Sequence, residues 1–276
     1  MCRLLEVSRA AFYKWSALEE AGPTASEVRR DRIVNEIRLI HSQQHMDSYG
    51  SPRVVRELAK SGINCSENTV AKVMRDAGIR ATTARRFRIS TTDSKHELPI
   101  AENLLNQDFS VELMNSVWLT DFTYIHTLDG FTYLCAVEDL CSRRIVGWAT
   151  SQTIDAELAL AALDQAVALR QPLAGLIVHS DRGSQFASLA YRQRLEKHSF
   201  KQSMSRKGNC YDNAPMESFY RSYKVEEVYH KKYETHEHAT RCAVDYIERF
   251  YNRTRMHSSL DYLSPIDFEL RLQKSK

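Results

Sequence analysis

Cysteine, glycine and proline are all sparse in this chain of 276 residues, at six, nine and six. With so little glycine and proline, collagen-like and low-complexity architectures are excluded. The cysteines, at positions 2, 65, 135, 141, 210 and 242, include no CxxC pair. So few in so long a chain read as reduced, mostly structural thiols and not as a disulfide framework. Long apolar runs are missing too. The stretches Leu158–Leu163 and Leu173–Val178 are among the longest and fall far short of a membrane span. The first residues, MCRLLEVSRAAFYKW, hold no apolar signal-peptide core. A soluble cytoplasmic protein without membrane partners is therefore expected. What is present, 43% hydrophobic and 26% charged residues, suffices for one large domain or two modest ones.

The net charge of +3 says little, but its distribution says more. Residues 1–100 carry 17 Lys and Arg against 12 Asp and Glu, while the remainder carries 21 against 23. The basic excess peaks at Arg80, Arg85, Arg86 and Arg88. Such a cluster suits a polyanion, of which nucleic acid is the commonest, although a solvated charged face carries the same signature.

The N-terminal third reads as short helices. Ser8 caps a helix through Trp15, and a second helix over Glu27–His45 aligns Ile33, Ile37 and Ile40 on one stripe. Ser51-Pro52 opens a helix that runs Arg53–Lys60 and is broken by Ser61-Gly62. Ser66 caps the next, Glu67–Ala77, and Gly78 stops it. Two short helices across a tight glycine-containing turn outline a helix-turn-helix. Its second helix would present Asn68, Thr69 and Lys72 to a DNA major groove, where these side chains reach base edges or phosphates. Helical hairpins are common, and the neighbouring arginines are what favour the DNA reading. Residues 1–88 are thus expected to be a helical DNA-binding region. The polar, aperiodic stretch 89–113 is expected to be a linker, and 114–276 the second domain.

That second domain alternates strands and helices. VWLTDFTYI (Val117–Ile125), FTYLCAV (Phe131–Val137) and RIVGWAT (Arg144–Thr150) lie too close together for intervening helices and predict an antiparallel meander. Helix Ala156–Leu169, strand Leu176–Val178, helix Ser188–His198, strand Lys201–Ser205 and helices Pro215–Val228 and His236–Arg253 follow. The order predicts an α/β fold around a mixed sheet.

Within it, Asp121 stands in the middle of an apolar strand, where a carboxylate costs several kcal/mol unless a cation or donor meets it. Asp181 follows the apolar run Leu176-Ile177-Val178, at the carboxyl end of a strand where α/β sheets place their sites. Glu217 lies in the first turns of a helix, with Lys224 two turns along the same face. Three acids converging from strand, strand end and helix suit hard divalent cations. Among 35 acidic residues, however, spacing alone does not single out a triple. Glu138 and Asp139 compete, with a bland role as a polar cap before Arg143 and Arg144. His179, beside Asp181, reads as packed more than as functional.

The strings VWLTDFTYI, HSDRGSQF, SMSRKGNCYDNAPMESFYRSYKVE and FYNRTRMHSSLDYLSP occur in that order. Together they resemble the D,D,E transposases of bacterial insertion sequences, specifically the second-reading-frame product (OrfB) of the insertion-sequence-three family. The 35 residues between Asp181 and Glu217 match the gap of that family. SYGSPRVVRELAKSGINCSENTVAKVMRDAGIRA resembles the helix-turn-helix segment that precedes the catalytic domain there. The resemblance spans nearly the whole chain. It implies a ribonuclease H-like, mixed-sheet catalytic core preceded by an all-α helix-turn-helix region. It implies Asp121, Asp181 and Glu217 as catalytic, metal-binding acids for two Mg²⁺ ions, with Mn²⁺ able to substitute. Lys224 matches the basic residue thought to touch DNA near the cut. Retroviral integrases share this core but carry an HHCC zinc site; His41 and His45 here are helically spaced with no CxxC partner, so zinc is not expected.

The implied reaction is cutting and joining of double-stranded DNA at element ends by two-metal phosphoryl transfer, with no protein nucleophile. A DNA-binding regulator that has lost catalysis and a plain metal-dependent nuclease of the same fold are the alternatives. Since MCRLLEVSRAAFYKW holds one capped helix, the chain is expected to be part of the working recombinase. In the family, an upstream frame (OrfA) supplies a DNA-binding and coiled-coil segment as fusion or partner, and a homo-oligomer pairs two ends on DNA. Two kinds of DNA contact are separable by titration. Replacing Arg85, Arg86 and Arg88 together should weaken binding to every duplex and flatten log K against log [salt] by about 2–3. Changes at Asn68 or Thr69 should instead alter sequence preference. An unchanged slope in the arginine variant removes that cluster from the interface.

Overall fold

A computed structural model of the chain describes residues 7–82, 96–207 and 209–274. The chain divides after Thr82 into two compact units. Arg85, Arg86 and Arg88 lie outside the described residues.

The first unit is all helical. Helix α1 (Arg9–Ala21) starts at Ser8, whose Oγ accepts the Ala11 N–H at 3.1 Å, and it buries none of its residues. It runs beyond the expected end at Trp15, because Leu18-Glu19-Glu20-Ala21 are good helix formers and Gly22 is the first breaker. Helix α2 (Ala25–Ser42) is opened by a capping box in which Thr24 and Glu27 exchange hydrogen bonds. The apolar sides of α2, α3 (Ser51–Lys60) and α4 (Glu67–Asp76) form the core: Ile33, Ile37 and Ile40 meet Val54, Leu58, Val70, Val73 and Met74, all buried. Ser66 caps α4 by accepting from the Thr69 N–H at 3.2 Å. Gly62, at φ +75°, makes the left-handed turn after α3 that a β-carbon would strain.

In the second unit, β1 (Val117–Thr127), β2 (Gly130–Asp139) and β3 (Ile145–Ser151) form the expected antiparallel meander. After α5 (Ala156–Arg170), β4 (Ile177–Ser180) returns to pair parallel with β1. Helices α6 (Ser184–Ala187) and α7 (Leu189–Lys197) then lead to β5 (Lys201–Met204), parallel to β4. The sheet order is β3-β2-β1-β4-β5. Order and strand sense are those of the ribonuclease H-like fold. On one sheet face, Trp118, Phe122, Val137, Val146 and Val178 close over Leu158, Ala162 and Ala166 of α5 and Tyr191 and Leu195 of α7. Helix α8 (Ala214–Glu226) packs along β1, and α9 (His236–Val244) lies on β1 and β2.

Three features depart from the sequence expectation in detail. The segment expected as one helix to Arg253 is α-helical only to Val244 and continues as a wider π-type turn over Asp245–Tyr251, where Tyr246, Ile247, Phe250 and Tyr251 are all buried. A further helix, α10 (Pro265–Lys274), follows. Its buried Glu269 accepts from Arg144, Arg170 and Ser142 at 2.7–2.9 Å, which ties it to the end of α5 and the β2–β3 turn. Residues 96–116, polar and irregular, form neither helix nor strand yet bond into the second unit: Leu104 N–H donates to Ser203 Oγ at 2.9 Å, and Asn103 and Gln107 reach Asp212.

Gly147 on β3 marks the closest approach of sheet and helix. A β-carbon there would stand 2.3 Å from the Ala162 carbonyl oxygen and 2.7 Å from the Ala166 β-carbon. Gly147→Ala should therefore cost about 1–3 kcal/mol by overpacking, read as a lowered Tm. A variant melting like the parent would show that α5 yields freely.

Candidate active site

Strand β1 outruns its parallel neighbour. Pairing with β4 covers Val117↔Ile177, Trp118↔Val178 and Leu119↔His179 and then ends. Asp121 lies two residues beyond Leu119, and Asp181 two beyond His179. Continuing that register sets the two aspartates side by side, and the two-residue period puts both on one face. Asp121 is half-buried, and its Oδ1 accepts the Phe122 N–H at 2.8 Å. Its pKa is raised well above the ordinary carboxylate value, first by burial, next by the charge of Asp181, and last by that of Glu217. Oδ1 of Asp181 accepts the Gly183 N–H at 2.8 Å. Arg182 Nε donates to the Ser205 carbonyl at 2.6 Å, and His96 Nε2 lies 2.7 Å from the Arg182 carbonyl oxygen, so the loop carrying Asp181 is held from two sides.

Glu217 comes from the first turn of α8, where a carboxylate complements the helix dipole. Its side chain is exposed, and what burial it has raises its pKa. Two contacts fix α8 beside Asp121. Asn213 Nδ2 donates to the Thr120 carbonyl at 3.3 Å, and the Tyr220 hydroxyl donates to the Asp121 carbonyl at 2.6 Å. The loop before α8 is organised by Asp212, which is fully buried and accepts from the Arg206 backbone and side chain, Asn103 and Gln107. These bonds, those from Arg206 foremost, hold its carboxyl far below the usual range. Asn213 was expected only as the residue that opens this helix, and Asp212 and Tyr220 were not singled out by sequence reasoning. An acid and an amide shortly before the α8 proline were the available signal.

Lys224 is drawn into the same seam. Its Nζ lies 3.8 Å from the centroid of the Tyr124 ring and donates to the Tyr124 carbonyl. Burial lowers its pKa to about 8. His179 is fully buried with its ring nitrogens 2.8 and 3.2 Å from Ser203 and Ser205 Oγ, and burial lowers its pKa to about 4: a packed, neutral ring. Glu138 and Asp139 are buried among Arg143, Arg170 and backbone donors, as a structural cap requires. In the first unit, Asn68, Thr69 and Lys72 all lie on the exposed side of α4, and Thr69 Oγ1 stands 2.9 Å from Ser66 Oγ.

The geometry thus gathers Asp121, Asp181 and Glu217 on one side of β1 and α8, with Lys224 along the seam. Among the described residues, no three acid, His or Cys side chains already stand as a metal cage. No helix among them is long and apolar enough to cross a membrane.

Residues 28–87 match an HTH-like domain family, and 112–210 and 198–265 match two integrase core domain families. The chain is 39% identical over 271 residues to the transposase InsF for insertion sequence IS3A of Escherichia coli strain K12, covering 98% of this chain and 92% of that one. The chain belongs to the IS3-family insertion-sequence transposases. It is also 41% identical over 268 residues, 97% of each chain, to a 31 kDa protein of insertion element IS600 from Shigella sonnei. Among solved structures it is similar to the catalytic core domain of BIV integrase, at 16% identity and a TM-score of 0.41 over 58% of this chain and 97% of that one. For a member of this family, action on DNA in transposition and integration follows.

The raised pKa of Asp121 has a measurable consequence. Because its folded value lies above the unfolded 3.8, its charge costs stability at neutral pH, and the cost fades as pH falls through the folded value. Asp121→Asn keeps the acceptor for Phe122 and removes the charge. It should melt about 2–4 °C or more above the parent near pH 7.5, with the gap closing near pH 4. An Asn variant less stable than the parent at pH 7.5 would contradict the crowding of charge at this site.

Proposed function

We propose that this transposase cuts and joins double-stranded DNA at the ends of its insertion sequence, and that Asp121, Asp181 and Glu217 are its catalytic acids. The observation that carries this reading is the strand register that sets Asp121 beside Asp181: besides burial, the charges of Asp181 and Glu217 raise the Asp121 pKa, against the Phe122 N–H that favours its charge. A half-buried carboxylate crowded by others is a poor structural element and a good cation ligand. The donor set is all oxygen, which fits Mg²⁺, with Mn²⁺ able to substitute, and two ions per site as the working number. When bound, such ions stabilise the charge developing on the phosphoryl oxygens and ease deprotonation of the attacking hydroxyl.

The chain's own residues do the rest. Asp121 and Asp181, on rigid strand ends, hold a negative site at a fixed place on the sheet. Glu217, exposed on α8, completes it from the other wall. Lys224 offers a half-buried amine to a DNA phosphate near the cut, with charge that is lost above about pH 8. In the first unit, Asn68, Thr69 and Lys72 on the open side of α4 read or anchor DNA; beyond it in the sequence, Arg85, Arg86 and Arg88 bind phosphates. Two copies on DNA, together with the upstream-frame product as fusion or partner, would bring two element ends together. Joining is what separates this reading from a plain nuclease of the same fold, and intact acids separate it from a silent DNA-binding regulator.

Strand transfer of a pre-cut end into target DNA, followed beside end binding and Tm, tests the assignment. Asp121→Asn, Asp181→Asn and Glu217→Gln should each lose cleavage and joining by about a thousandfold or more while still folding and binding DNA. Excess chelator should abolish both reactions in the parent. Parent-level joining by any one of the three variants defeats the assignment.

A further inference from the structure

Beyond the acids, the β1–α8 seam opens into a second feature that neither the fold nor the three carboxylates require. Tyr124 is three residues along β1 from Asp121, and Lys224 is seven along α8 from Glu217, so their backbones stand about 10 Å from those of the acids, with the Tyr124 side chain on the other face of β1 and Lys224 meeting it at the strand edge. Here lies a cleft of about 420 Å³ whose lining includes Tyr124, His126, Lys224, Tyr229, Lys232 and Tyr233. Its walls mix rings with the aliphatic Leu128 and Val228, and three lysines make it basic. Tyr233 is buried and anchored, its hydroxyl 3.0 Å from Glu227 Oε1, and Lys231 nearby is paired with Glu227 at 2.8 Å. Tyr229, by contrast, is 43% exposed, and His126 and Lys232 are exposed as well. Tyr124 and Tyr229 are close enough for the charge of one to disfavour that of the other. The Tyr124 ring is already covered by the Lys224 amine, so the exposed Tyr229 ring beside Lys232 is the face left for a planar, anionic guest.

We infer that this cleft receives one unstacked nucleotide of the DNA strand held at the acids, its base against the Tyr229 ring and its phosphate toward Lys232. The inference rests on the reading of the acids as a DNA-cutting site. The cleft is far too narrow for a duplex, while stacking on aromatic side chains accepts any base and lysines accept the phosphate. At 3.4 Å per nucleotide along one strand, 10 Å places that nucleotide within about three positions of the cut phosphate.

A mismatch removes part of the cost of taking a base out of the duplex. The full chain is titrated, with Ca²⁺ replacing Mg²⁺ to hold back turnover, against pre-cut duplexes carrying the terminal sequence of its own element. Single mismatches are placed at each of the first four positions from the cut. One position should bind the parent about tenfold more tightly than the matched duplex, and the others should not. Tyr229→Ala and Lys232→Ala, both at exposed side chains, should keep the parent's melting curve and lose that advantage, whereas Tyr229→Phe should retain it. A parent indifferent to mismatches at every position overturns the inference, as does a Tyr229→Ala variant that keeps the full advantage. Joining of the same pre-cut duplexes to target DNA by the parent in Mg²⁺ is scored separately. Joining without any mismatch effect defeats the cleft alone, and a mismatch effect without joining defeats the reading of the acids alone.

Discussion

The open edge of β1 is the constraint on which the rest of this site depends. Ser116 carbonyl accepts from the Ile177 N–H at 3.0 Å, so the carbonyls of alternate residues along β1 face β4. Once β4 ends, those of Thr120 and Tyr124 face no strand. A buried carbonyl left without a donor costs about 1–3 kcal/mol. Helix α8 supplies the donors from its side chains, Asn213 to Thr120 and Lys224 to Tyr124, while Tyr220 reaches the Asp121 carbonyl on the β2 side. The helix that repairs the edge is also the helix that carries Glu217. The same strand ending that exposes the edge places Asp181 beside Asp121. Assembly of the three acids is thus a consequence of how β1 is completed.

The surroundings hold that seam in place by burying charge in paired form. Glu226, at the end of α8, accepts from Arg255 at 2.8–3.0 Å and from the Tyr246 hydroxyl at 2.7 Å, all three largely buried. Asp212, buried just before α8, is paired with Arg206, whose side chain is exposed. Breaking a buried pair by removing one partner typically costs about 3–5 kcal/mol, so the Glu226–Arg255 end of α8 tolerates little change. The three acids between them are the opposite case, since their charges repel. Stability at the ends of α8 and tension at its first turn belong to one arrangement.

Much of this was legible in the sequence, and for identifiable reasons. The meander could be read from β-branched and aromatic runs such as VWLTDFTYI, and the buried Ile33, Ile37 and Ile40 from their spacing. Asp121 drew attention as a charge in an apolar strand, Asp181 as an acid at a strand end, and Glu217 as an acid opening a helix. What could not be read was register. Whether Asp121 and Asp181 stand side by side depends on the pairing of Leu119 with His179, fixed by packing across 60 residues of chain. The carbonyl-capping roles of Asn213, Tyr220 and Lys224 follow from that pairing and were equally hidden. Residues 96–108 look like a connector because they are polar, yet their polar groups are what bond to Ser203 and Asp212. The π-type turn at Asp245–Tyr251 keeps the apolar spacing of a helix closely enough to pass for one.

The central claim is that the completed edge of β1 brings three carboxylates together, the set proposed above to bind divalent metal. Anomalous diffraction from crystals of the transposase soaked in Mn²⁺ tests this most directly. The account predicts an anomalous peak between Asp121 and Asp181, about 2.0–2.3 Å from an oxygen of each, with Glu217 turned inward to the same site. A peak elsewhere on the molecule, or none at saturating Mn²⁺ with the carboxylates ordered, would contradict it.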